Sequence, residues 1–76
     1  MDDILKLIIE SLVDNKEAIS IEKEENDYKI TYKVKVDNSE MGKVIGKNGR
    51  IAIAVKTLMQ SVGARDHKKV FVEFVD

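Results

Sequence analysis

The sequence contains no cysteine, no proline and no tryptophan, and among its 76 residues are only four glycines, two phenylalanines and two tyrosines. Without cysteine there can be no disulfide and no cysteine-based zinc site. No apolar run approaches the ~18 residues of a membrane-spanning helix. The start Met1-Asp2-Asp3 is acidic where a secretion signal would be basic, so the expected address is the cytoplasm. A chain this short removes about 60% of its unfolded surface on folding, which leaves room for one small domain over residues 1–76. No residue pattern asks for a metal or a cofactor.

What is present is charge, at 36% of residues, alongside 43% hydrophobic residues. The formal net charge of -1 argues against a broadly basic nucleic-acid binder, but it conceals a division. Residues 1–40 carry six basic and eleven acidic side chains, whereas residues 41–76 carry seven basic and three acidic. No acid lies between Glu40 and Asp66, an interval that holds Lys43, Lys47, Arg50, Lys56 and Arg65. An anion approaching that interval meets a locally positive field.

Periodicity places the elements. Ile4, Leu5, Ile8, Ile9, Leu12 and Val13 recur at helical spacing, predicting a helix from about Asp3 to Asn15 with acids at its positive end. Ala18 to Glu25 and Tyr28 to Val36 read as two strands of a hairpin turning at Asn26-Asp27. In the second, Tyr28 and Tyr32 share the apolar face, while Lys29, Lys33 and Lys35 lie on the other. A short helix is expected over about Glu40 to Ile45. Another runs from Gly49 or Arg50 to about Val62, with Gly63 as its stop and Ile51, Ala54, Val55, Leu58 and Val62 as its stripe, bordered by Met59. Val70 to Val75 is a final strand apolar enough to lie inside a sheet. The order is α-β-β-α-α-β.

One stretch departs from core-and-surface patterning. Three of the four glycines, Gly42, Gly46 and Gly49, fall within eight residues. Glycines at both ends of Gly46-Lys47-Asn48-Gly49 allow a sharp turn between helices and close approach of another molecule to the backbone. The helix that follows directs free N–H groups and partial positive charge toward that opening, and Lys47 and Arg50 add full charges.

Val44-Ile45-Gly46-Lys47-Asn48-Gly49-Arg50 resembles the V-I-G-x-x-G core of the KH RNA-binding domain, in the bacterial type II order of elements. Over nearly its whole length the chain is similar to the small bacterial KhpA family of free-standing KH domains. The resemblance implies an α+β type II KH fold, a three-stranded sheet covered on one face by three helices. It implies that the loop clamps the backbone of about four nucleotides of single-stranded RNA. Gly46 and Gly49 would supply the conformation, Lys47 and Asn48 the contacts at the tip, Lys43 and Arg50 flanking phosphate contacts, and Ile45 and Ile51 an apolar floor. Ala52 stands where many KH domains carry a bulky apolar residue. With four aromatic side chains in all, extensive base stacking is not expected.

The same helix offers a second surface. At 100° per residue Ala54, Thr57, Leu58 and Ser61 make a face of small residues around one leucine, and Ile53 stands apart among Lys56, Thr57 and Gln60. KhpA-like proteins self-associate or pair with a larger KhpB/Jag-type KH protein through this helix, so the resemblance implies an interface at Ile53, Ala54, Thr57, Leu58 and Ser61.

Other chemistry finds little support. Three residues separate Gly42 from Gly46 where a phosphate-loop NTPase needs four, and Asn48 replaces its magnesium-binding hydroxyl residue. His67, the only histidine, lies in an expected exposed turn without cysteine or serine partners at motif spacing. No catalytic residues are assigned. The reading is therefore single-stranded RNA binding by a homodimer or with a KhpB/Jag-type partner, as an RNA chaperone or post-transcriptional regulator. The alternatives are a dimerisation module of a cell-envelope or division complex, or a factor associated with ribosomal subunits.

Overall fold

A computed structural model describes residues 2–75; Met1 and Asp76, at the ends of the expected 1–76 unit, lie outside the described residues. Six regular elements follow in the expected order: α1 (Asp2–Leu12), β1 (Ser20–Glu25), β2 (Lys29–Lys35), α2 (Met41–Ile45), α3 (Arg50–Arg65) and β3 (Lys69–Phe74). The sheet has the order β1-β2-β3, with β1 antiparallel and β3 parallel to the central β2. The three helices pack on one face, and Leu5, Ile9, Tyr32, Val44, Met59 and Val70 are fully enclosed between the layers.

α1 ends three residues before the expected Asn15 for a reason remote in sequence. The Glu40 carboxylate accepts the N–H groups of Asp14 (2.5 Å) and Asn15 (2.8 Å), which a continuing helix would direct to carbonyls four residues back. A 3-10 turn over Lys16–Ala18 then delays β1 to Ser20. In the hairpin, Asn26 Oδ1 accepts from the N–H groups of Tyr28 and Lys29. Tyr28 therefore belongs to the turn and is 66% exposed, contrary to its expected place on the apolar face, whereas Tyr32 is buried and its hydroxyl donates to Asp2 at 2.5 Å.

Three expectations for the C-terminal half are corrected. Gly63 does not stop α3. It is buried within the helix, and a Cβ there would stand 2.2 Å from Val70 Cγ2, so the glycine is what lets helix and strand come together. The stop is made by His67, exposed in its turn at φ 58°, with Asp66, His67 and Lys68 donating back to the carbonyls of Gly63 and Ala64. That close approach sets the buried stripe as Ala52, Val55, Met59 and Gly63, leaving Ala54 and Leu58 exposed rather than in the core. β3, finally, is an edge strand: Val70 and Val72 point under the helices, while Phe71 and Glu73 project from the uncovered face. Its apolar stretch Val70-Phe71-Val72 reflects one buried face plus a single exposed aromatic.

Candidate nucleic-acid interface

The junction between α2 and α3 is built from left-handed backbone. Gly46 ends α2 at φ 77°, Asn48 sits at φ 58°, and Gly49 precedes α3 at φ 72°. These conformations are natural to glycine and tolerated by asparagine. The two glycines nevertheless serve different ends. A Cβ on Gly46 would fall 2.6 Å from Ile51 Cγ1 and 2.9 Å from Ile51 N, so Gly46 lets the loop close against the first turn of α3. A Cβ on Gly49 would meet nothing within 4 Å, so its bare backbone faces open space.

That open space is also where α3 begins. No side chain caps the helix; the Arg50 N–H turns back to the Lys47 carbonyl, and with no acid in the first turn no carboxylate neutralises the positive end. Lys47, Asn48 and Arg50 are exposed around it, and neither Lys47 nor Arg50 has an ion pair among the described residues. Ile45 and Ile51 are half-buried and pack on the core, giving the loop an apolar underside. Ala52, in place of a bulkier residue, is buried in the same turn.

Lys43 is placed differently from the other cations. Its amine lies 3.0 Å from Asp14 Oδ2 and 3.2 Å from Glu40 Oε2, which hold its pKa above the usual lysine value. The stretch free of acids in sequence is thus supplied with two acids by the fold. Glu40 is the residue sequence reasoning missed: it is only 5% exposed and couples α2 to the segment after α1. Hydrogen bonds from the Asp14 and Asn15 amides, assisted by Lys43, hold its carboxyl below the usual glutamate value. Nothing in the local pattern could have revealed this, because its partners lie 25 and 26 residues upstream.

On α3 the five residues expected at an interface, Ile53, Ala54, Thr57, Leu58 and Ser61, are all exposed. Ile53 is 61% and Leu58 46% accessible. Among the described residues there is no group of acids and histidines arranged to hold a metal ion, and no helix long and apolar enough to cross a membrane.

A mixed three-stranded sheet covered on one face by three helices, with a G-x-x-G loop between the last two, defines a type II KH domain. Comparison with known proteins narrows this. The family described as KhpA/KhpB, KH domain, matches residues 2–74. Similar curated proteins include the RNA-binding protein KhpA of Listeria monocytogenes, 42% identical over the full length of both chains. Those of Bacillus subtilis (40%, covering 94% of that protein) and Aquifex aeolicus (37%, covering 96%) carry the same name and match along all of this chain. No solved structure matches. The chain belongs to the KhpA/KhpB KH-domain family.

Proposed function

We propose that this chain binds single-stranded RNA through the Gly46–Gly49 loop. The observation that carries the reading is Gly49: a left-handed glycine with empty space where a side chain would be, at the positive end of α3, which no side chain caps, between two cations without an ion pair among the described residues. A phosphate seated there accepts backbone N–H groups and approaches Lys47 and Arg50, with neighbouring nucleotides lying over Ile45 and Ile51. The relatives named RNA-binding protein KhpA support the same reading. Lys43 serves mainly to tie α2 to Asp14 and Glu40 and so to position the loop.

The test is Gly49→Asp, which adds negative charge where phosphate should lie; the site has room for the side chain, and aspartate tolerates left-handed backbone better than most residues. Polarisation measurements with labelled single-stranded RNA should show at least tenfold weaker binding while circular dichroism is unchanged. Wild-type affinity in a folded variant overturns the proposal.

The exposed α3 face supports a further part of the reading, that the domain works in the cytoplasm as a homodimer or with a KhpB/Jag-type KH protein, in RNA chaperoning or post-transcriptional regulation. Joining two weak clamps raises avidity where one RNA reaches both. Leu58→Tyr should reduce the mass seen by sedimentation equilibrium to that of one chain. An unchanged mass removes α3 from the interface. A dimer that forms normally but binds no RNA favours the alternative, an interaction module with a vestigial loop.

A further inference from the structure

The sheet face turned away from the helices is open, and its two ends differ in chemistry. Around Lys33 the charges balance: Glu22 and Glu73 are its neighbours on the flanking strands, and Glu24 pairs with its amine at 3.3 Å. At the other end Lys29 is the direct register partner of Lys69, two like charges side by side. Phe71 stands one step along, beside Thr31, and is 43% exposed. The Lys29 amine lies 5.0 Å from the centre of its ring.

Like charges directly opposite on neighbouring strands repel, and an anion between them relieves the cost. An exposed ring supplies a π-face for a base, and stacking of this kind tolerates any base. A cation resting on an aromatic ring in water is held weakly enough to give way. A protein partner fits less well, because lysine is depleted from the buried centres of protein interfaces.

We infer that Lys29, Lys69 and Phe71, on the uncovered face of the sheet, form a second contact for single-stranded nucleic acid, taking one base on the Phe71 ring and a phosphate between the two lysines. The inference rests on the reading that the loop binds RNA, and it extends the path of that RNA beyond the loop. β3 starts beside the last turns of α3, where Gly63 meets Val70, and α3 has 16 residues, about 24 Å of helix. The second contact therefore lies roughly a helix length from the loop, beyond the nucleotides the loop itself holds. Phe71 also borders a cleft of about 280 Å³ closed on the helical side by Gln60 and Ala64, so the free edge of β3 offers a route between the two surfaces.

The experiment compares random-sequence single-stranded RNAs of about 4 and about 16 nucleotides by fluorescence polarisation across a salt series. The proteins are the wild type, Gly49→Asp, Phe71→Leu, Lys29→Gln with Lys69→Gln, and Lys35→Gln as a charge control on the same face. Phe71→Leu keeps the apolar bulk and removes the π-face. The expected result is that Phe71→Leu binds the long RNA about tenfold more weakly and the short RNA normally. The double lysine variant should lower the salt slope for the long RNA by about 1.4. Lys35→Gln should resemble the wild type, and Gly49→Asp should weaken binding at both lengths. If the sheet variants bind both lengths like the wild type, the second contact is overturned and the loop reading stands; equal losses at both lengths overturn it too, as does weakened self-association with normal RNA binding. If the wild type binds neither RNA, the loop reading and the second contact fall together.

Discussion

Two glycines three residues apart in one short motif have different physical duties, and substitution separates them. Gly46→Ala places a Cβ within 2.6 Å of the Ile51 side chain in left-handed backbone, and should destabilise the fold by about 2–3 kcal/mol in urea unfolding. Gly49→Ala meets no neighbour and should lose only about 1 kcal/mol, from the backbone conformation alone. Equal losses would mean that both are structural. Lys43→Gln should leave the salt slope of RNA binding unchanged, because the Lys43 amine already sits between Asp14 and Glu40; a fall of about 0.7 would make it a phosphate contact. Glu40 predicts a pH effect. Its folded pKa is depressed below the ordinary value near 4.5, so its contribution is fully present above that value and is lost as pH falls through the folded one. Acid titration of Glu40→Gln should therefore show a shallower loss of stability below about pH 4.5 than the wild type. Identical acid limbs would remove Glu40 from the account.

At the scale of elements, the chain follows its local periodicity wherever one face alone is buried. The alternation of β2 and most of the apolar positions of α1, Ile4 excepted, were legible for that reason, as was a sharp glycine turn between two helices. Several of the errors lie where a neighbour in another element decides. α3 was expected to stop at Gly63, because a glycine near a helix end usually marks a stop; here it is an interior residue on which Val70 packs. Gly63→Ala puts a methyl group 2.2 Å from Val70 Cγ2 and should destabilise by roughly 1–3 kcal/mol in urea unfolding, despite the better helix propensity of alanine. A gain in stability would restore the glycine to a helix-ending role. β3 shows the same limit, since Val70-Phe71-Val72 reads alike for an edge and a central strand until its pairing is known.

For the whole molecule, the near-neutral charge is a sum over regions that the fold rearranges. Lys43 is held by Asp14 and Glu40, so the loop presents two cations, Lys47 and Arg50, that are unpaired among the described residues. Binding of a short RNA confined to the loop should then follow salt with a slope of about −1.4, well below that of a broadly basic protein. The sequence by itself determined the order of elements, the sharp glycine turn between two helices and the family resemblance. Each of these depends on residues adjacent in the chain, where spacing, glycine content and alternation act directly. Only the tertiary structure decided that Lys43 meets Asp14 while Lys47 and Arg50 have no ion pair among the described residues, that Gly63 is a packing residue, and that Lys29, Lys69 and Phe71 share one open surface. Those outcomes depend on contacts between different elements, which packing and strand register create and local pattern does not contain.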